Sequence, residues 1–214
     1  PDLETSGIIV MTAIVMLFLA GAPIRNLGII AGTVAFLVVC RVATSDYQRA
    51  RVTAFLNPWG DPVGQAYQNV QAQIAIGSGG IFGRGLGNSI QKNNYLPEAQ
   101  TDMIGAIIGE ELGLVGLFGV ILAFVLIGVM GFRIALRARD THGRLLASGA
   151  TTLICLQGGI NLAQVFGALP ITGVPLPFVS AGGTSLVVFL ATVGVLINIS
   201  RRGATAAARK PRAT

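Results

Sequence analysis

From Leu145 to Ser200 the chain carries no charged residue, and this run constrains the fold more than any other feature. In a water-soluble domain about a quarter of the residues are charged, so an interruption of this length points to an apolar solvent. One helix needs only about 20 residues to cross a hydrocarbon core. Pro170, Gly173, Pro175, Pro177, Gly182 and Gly183 divide the run into two spans, Leu145 to Ala168 and about Thr184 to Ser200. Further apolar runs cover Gly7 to Ala22, Leu27 to Thr44 and Leu112 to Phe132, with Arg41 near enough to one end to snorkel. Over all 214 residues only 11% are charged and mean hydropathy is +0.71. The expected class is therefore all-α, a polytopic transmembrane helix bundle.

Asp2 and Glu4 stand where a signal peptide would carry basic residues, so the first run is a span and not a leader. Cys40 and Cys155 lie inside apolar runs without metal-ligand spacing, which excludes a disulfide framework or zinc site as a reading. The net charge of +6 concerns the sides of a bilayer, not nucleic acid. Arg25, then Arg133, Arg137, Arg139 and Arg144, then Arg201, Arg202, Arg209, Lys210 and Arg212 all fall on one side of the expected spans. By the positive-inside rule that side is cytoplasmic. The stretch of about 45–101 and the Pro170 to Gly183 connection are then extracytoplasmic. Residues 1–203 form one transmembrane domain, and 204–214 a basic, disordered cytoplasmic tail near anionic headgroups. An odd number of spans starting outside, with Pro1 in place of an initiator methionine, reads as the C-terminal part of a larger membrane protein.

A connection longer than about 15 residues is usually functional or disordered, and the 45–101 stretch is patterned. Val63, Ala66, Tyr67, Val70 and Ile74 fall at helical spacing, predicting an amphipathic helix on the membrane surface or against the bundle. Asn57 to Pro62 is a run of turn formers with an interfacial Trp59. Gly77 to Gly87 is glycine-rich but matches no nucleotide-binding motif. It reads as a flexible or closely packed backbone carrying Arg84, with Lys92 beyond it. These cations either hold an anionic headgroup or are incidental.

Tyr95-Leu96-Pro97-Glu98-Ala99-Gln100-Thr101-Asp102 leads into an expected helix from Met103, with Thr101 as its N-cap and Gly105, Gly109 and Gly113 as a close-packing ridge. Asp102 at the mouth of a bundle is either functional, as acidic groups near membrane depth tend to be, or merely favoured by the helix dipole. Glu110 and Glu111 read as structural. Gln157, Asn161 and Gln164 make one polar stripe that faces a cavity or another helix. His142 lies on the cytoplasmic side and is assigned no role.

Taken together, Asn57-Pro58-Trp59, Asp61-Pro62, Tyr67-Gln68, Ala75 to Gly80, Gly85-Leu86-Gly87, Gln91-Lys92, Tyr95 to Glu98, Thr101-Asp102, Gly109 to Gly113, Pro175 to Ser180 and Gly182-Gly183 resemble the SEDS family of FtsW, RodA and SpoVE. The resemblance covers essentially the whole chain, from Pro1-Asp2-Leu3 onward. It implies the last five of about ten transmembrane helices. The Asn57-Pro58-Trp59 and Gln91-Lys92 elements lean toward the division branch.

The implied activity is inverting glycosyl transfer. Lipid II would be polymerised into glycan strands, carried on undecaprenyl pyrophosphate, at the outer membrane face beside a class B penicillin-binding protein. The family's essential aspartate falls on Asp102, the expected catalytic residue. Arg84, Lys92, Glu98, Thr101, Gln157 and Asn161 are the expected substrate contacts, and a divalent Mg or Mn ion is an expected cofactor of unassigned ligands. Gln100 and Met103 replace the His and Phe that flank the family's aspartate, Ala181 replaces a common aromatic, and Glu4 replaces a glycine. A lipid II flippase lined by the span-four stripe, or a scaffold that only recruits a transpeptidase, are the alternatives.

Overall fold

The computed structural model describes residues 3–64, 66–93 and 95–208. Its helices are α1 (Leu3–Leu19), α2 (Ile24–Thr44), α3 (Asp46–Leu56), α4 (Tyr67–Gly79), α5 (Ile104–Leu136), α6 (Thr141–Val165) and α7 (Gly183–Ala208), with a 3-10 turn at Pro58–Gly60. The described residues contain no strand, and the all-α class stands. By length and apolarity α2, α5, α6 and Gly183–Arg202 of α7 can each cross a membrane, whereas the apolar part of α1, Thr5–Leu19, is shorter.

That first span was expected to reach Ala22, and local chemistry ends it earlier. Gly21 takes φ 87°, its N–H donates to Phe18 O (3.0 Å), and Ala22 N–H donates to Leu17 O (3.0 Å). This closes the helix with a left-handed residue that glycine adopts without penalty. Pro23 then forbids continuation. The fifth span, expected over 184–200, continues to Ala208. Residues 204–208, expected in a disordered tail, thus extend the helix, and 209–214 lie outside the described residues.

At the centre stands α6. Half of its most apolar window is buried, against 6% for α2. Small residues permit this close packing: a Cβ on Gly149 would meet Met16 Sδ of α1 at 2.5 Å, and one on Gly158 would meet the Phe124 ring of α5 at 2.5 Å. Asp140 caps the start of α6, its Oδ2 accepting from Gly143 N–H at 3.0 Å. Against the same helix, α7 packs through a cluster of Ala135, Ala147, Ile154, Phe189 and Leu196. The outward faces are apolar and open, as with Phe36 (67% exposed) and Val39 (65%) on α2, the pattern a hydrocarbon solvent allows.

The connection between α2 and α5 is more ordered than expected. It contains α3, which starts after Ser45 with Asp46 in its first turn and no side-chain cap bond. The helix expected on Val63, Ala66, Tyr67, Val70 and Ile74 begins at Tyr67 instead, with Val63 85% and Ile74 41% exposed. Its buried side is Val70, Ala72, Ala75 and Gly79. Of the two placements open in sequence, α4 takes the one against the bundle, where Ala72 and Ala75 join Leu96, Ala99, Met103, Ala106, Ile107 and Val165 in one core. Small side chains on that side bring its backbone close to α5.

The glycine-rich segment after α4 is closely packed. Gly113 interrupts α5 with φ 68° and ψ −162°, a conformation essentially reserved to glycine. The break leaves peptide groups without partners in their own helix, and the segment supplies them. Arg84 N–H donates to Glu110 O and Gly85 N–H to Glu111 O (both 3.0 Å), while Leu114 and Val115 N–H donate to Gly80 and Ile81 O (3.0 and 3.2 Å). A Cβ on Gly113 would lie 2.4 Å from Gly83 N. The break at Gly113 divides 104–136 into a short helix and a span, as expected from sequence, and the span runs on past Phe132 to Leu136.

Candidate functional site

The Gln100-Thr101-Asp102 backbone is held at each carbonyl. Ala181 N–H donates to Gln100 O at 2.9 Å, Ser180 Oγ donates to Thr101 O at 2.6 Å, and Asn161 Nδ2 donates to Asp102 O at 2.8 Å with Gln164 Nε2 at 3.5 Å. These donors come from α6 and from the proline-rich connection that follows it. That connection is anchored by the same side chains. Asn161 Nδ2 also donates to Val174 O (2.8 Å), Gln157 Nε2 donates to Pro175 O (3.0 Å), and Thr172 N–H and Oγ1 donate to Gln164 Oε1 (2.7 and 2.6 Å). Leu176 N–H in turn donates to Ser180 Oγ at 2.7 Å.

The polar stripe of span four therefore faces protein backbone. Asn161 is fully buried, and both acceptors of its amide nitrogen are carbonyls. These amides act on Asp102 by fixing where its main chain sits. With Met103 and Ala106 fully buried beneath it and Asp102 itself half-buried, the carboxylate stands where the packed bundle begins.

Thr101 was expected to cap α5, but the helix starts at Ile104 with Met103 in the cap position and no side-chain cap bond. Its hydroxyl turns back instead, donating to Glu98 Oε2 at 2.6 Å. Glu98 holds φ 52°, and its carbonyl accepts from Thr101 and Met103 N–H, both at 3.1 Å. A non-glycine residue in that region costs of order 1–3 kcal/mol and is retained where its surroundings over-determine it, often at functional sites. The turn replaces the dipole-favoured position of Asp102 with one outside the helix. Glu98, Thr101 and Asp102 are thereby brought into one short turn.

Arg84 and Lys92 belong to a second constellation around Glu110 and Glu111, whose backbone lies about 9 Å along α5 from Ile104 at 1.5 Å per residue. Glu110 is fully buried and accepts from Ser89 Oγ (2.5 Å), Ile90 N–H (3.1 Å), Gln91 N–H (3.2 Å), Arg84 Nη1 (3.2 Å) and Ser78 Oγ (3.4 Å). Glu111 accepts from Lys92 Nζ at 2.7 Å and from Ser89 N–H at 3.3 Å. A buried carboxylate is tolerated only when its lone pairs are filled in this way. Both cations expected at an anionic substrate are thus engaged in ion pairs that clamp residues 84–92 onto α5. The Arg84 side chain is still 40% exposed, and Glu110 takes only part of its five-donor fork. Ser89, which bridges both glutamates, and Ser180 carry weight that isolated hydroxyl residues do not announce in sequence.

Among the described residues no group of three His, Cys, Asp or Glu side chains converges. The described residues thus offer no all-protein cage of three such ligands for a Mg or Mn ion.

The family model for FtsW, RodA and SpoVE, described as cell cycle protein, matches residues 1–205. Stage V sporulation protein E of Bacillus subtilis is 47% identical over 204 residues, covering 94% of this chain and 55% of that protein. A protein named probable peptidoglycan glycosyltransferase FtsW, from Geobacter metallireducens, is 47% identical over 191 residues, covering 89% and 51%. Peptidoglycan glycosyltransferase MrdB of Escherichia coli K12 is 40% identical over 202 residues, covering 93% and 55%. A solved chain from work on the structural coordination of polymerization and crosslinking by a peptidoglycan synthase complex superposes with a TM-score of 0.73 at 29% identity, over 95% of this chain and 56% of that one. The chain spans about half the length of the curated relatives it matches. With the match running through the span pattern, the Gly109 to Gly113 break and the Asp102 turn, this multi-pass membrane chain belongs to the FtsW/RodA/SpoVE family of cell cycle proteins.

Proposed function

We propose that the chain carries the catalytic half of a peptidoglycan glycosyltransferase that polymerises lipid II at the outer face of the cell membrane. The observation that supports this most is the backbone clamp on Gln100, Thr101 and Asp102, which fixes the main chain that carries the Asp102 carboxylate. The names of its relatives give the reaction class. The arginines near the α5–α6 turn and the end of α7 put the opposite end in the cytoplasm.

In the reaction, Asp102 accepts the proton of the acceptor sugar hydroxyl as its oxygen attacks the anomeric carbon of the growing glycan. The bond from that carbon to the undecaprenyl pyrophosphate oxygen breaks, the lipid pyrophosphate leaves with the electron pair, and configuration inverts. A pyrophosphate needs charge stabilisation more than protonation, so one carboxylate suffices. The open side of Arg84 stabilises the departing pyrophosphate, with Glu98 and Thr101 contacting the sugar. Asn161 positions the turn, and Gln157 holds the Pro175 carbonyl of the connection that also supports it. A class B penicillin-binding protein beside this chain would crosslink the product, in keeping with the synthase complex it resembles.

The flippase alternative needed the α6 stripe to line a polar path, and those amides are occupied by backbone carbonyls. Full-length protein given lipid II in detergent, where there are no two faces to flip between, should form glycan chains. Asp102→Asn should bind lipid II yet lose about 10² or more in turnover, the usual scale for a general base. Retained turnover would remove Asp102 from the mechanism.

A further inference from the structure

Asn161 near one end of α6 holds the Asp102 turn. The other end lies about 30 Å away at 1.5 Å per residue and carries a different hollow. Here the α5–α6 turn, the start of α6 and the late turns of α7 enclose a cavity of about 220 Å³. Arg139 and Arg202, from elements far apart in sequence, open onto it together with His142. Asp140 also lines it, but this carboxylate already caps α6 through Gly143 N–H at 3.0 Å. Gathering two guanidinium groups around one hollow is unfavourable without an anion to answer them.

The wall is the second observation. Leu146 and Val195 line the same hollow and remain 40% and 37% exposed. A free phosphate would gain nothing from these side chains. A phospholipid would, because its phosphodiester and its first methylenes lie side by side at the end of a membrane span. Basic pockets between helices at the cytoplasmic boundary hold anionic headgroups for this reason. The two arginines outweigh Asp140, which favours a lipid of net negative charge over a zwitterionic one.

We propose that this hollow is a binding site for the headgroup of an anionic phospholipid, its phosphate between Arg139 and Arg202 and its acyl chain running along Leu146 and Val195. The site is separate from the Asp102 turn and does not depend on the reaction assigned there. It would seat α6 and α7 at a fixed depth against the inner headgroup layer.

Native mass spectrometry tests it on full-length protein in neutral detergent, offered phosphatidylglycerol and phosphatidylcholine at equal concentration. Phosphatidylglycerol adducts should exceed phosphatidylcholine adducts by about thirtyfold, the scale of two cations near an anionic lipid. The preference should vanish in Arg139→Gln/Arg202→Gln and persist in Arg133→Gln/Arg137→Gln, which removes equal charge outside the hollow. Each single substitution should lower the preference partway, so the test survives if the double variant folds poorly. Equal loss in both double variants, or no preference in the unsubstituted protein, would overturn the site. Displacement of bound phosphatidylglycerol by millimolar glycerol phosphate would overturn the lipid assignment in favour of a free phosphoester.

Discussion

Replacing Asn161 by alanine removes the amide that donates to both Asp102 O and Val174 O at 2.8 Å. In a water-soluble core an orphaned buried carbonyl would cost about 1–3 kcal/mol. Between membrane helices the measured average is nearer 0.6 kcal/mol, with a ceiling near 1.7, because the unfolded-in-membrane state also finds partners. Two bonds therefore put the loss at about 1–3 kcal/mol. Gln164 Nε2, already 3.5 Å from Asp102 O, can tighten and favours the lower part of that range. Thermal unfolding in detergent measures this loss. Single-turnover polymerisation of lipid II measures what loosening the turn does to Asp102, and turnover should fall while lipid II affinity stays close to that of the unsubstituted protein. Ser180 holds the adjacent carbonyl, so a double-mutant cycle with Ser180→Ala should show coupling above the roughly 0.3–0.5 kcal/mol expected of independent sites. Unchanged melting and turnover in Asn161→Ala, or strict additivity in the cycle, would refute the clamp as the device that positions Asp102.

Gly113→Ala should destabilise by about 1–3 kcal/mol, the scale of a strained backbone, because its φ of 68° and the 2.4 Å approach to Gly83 N leave no room for a Cβ; denaturant or thermal unfolding reads this directly. Glu110→Gln keeps the shape but sets an amide N–H₂ against either the Arg84 and Ile90 donors of Oε1 or the Ser89 and Gln91 donors of Oε2. Limited proteolysis should then cut within residues 84–92 faster than in the unsubstituted protein. For topology, a cysteine at Leu86, which is 76% exposed, in a background lacking Cys40 and Cys155 should react with an impermeant thiol reagent added to whole cells, and one at Thr141 should not; the reverse result would place Asp102 in the cytoplasm.

The span pattern was legible because hydropathy and turn chemistry act locally. The charge-free run from Leu145 to Ser200 dictates its solvent, Gly21 with Pro23 ends α1, and the basic clusters mark one boundary, all without reference to any distant residue. Asp102 and the polar stripe of α6 could likewise be singled out from residue types in an apolar setting. What those polar groups bond to could not be read, since a hydrogen bond is satisfied by whatever the fold brings within 3 Å. Asn161 reaches Asp102 across 59 residues and Ser180 reaches Thr101 across 79. The same reason hid which cations pair with Glu110 and Glu111, Arg84 and Lys92, and that these pairs clamp residues 84–92 onto α5. It also decided that α4 buries small residues against α5 and that the glycine-rich segment repairs the break at Gly113. Local sequence determined which segments leave water; only the tertiary structure decided how the polar groups they carry with them are satisfied.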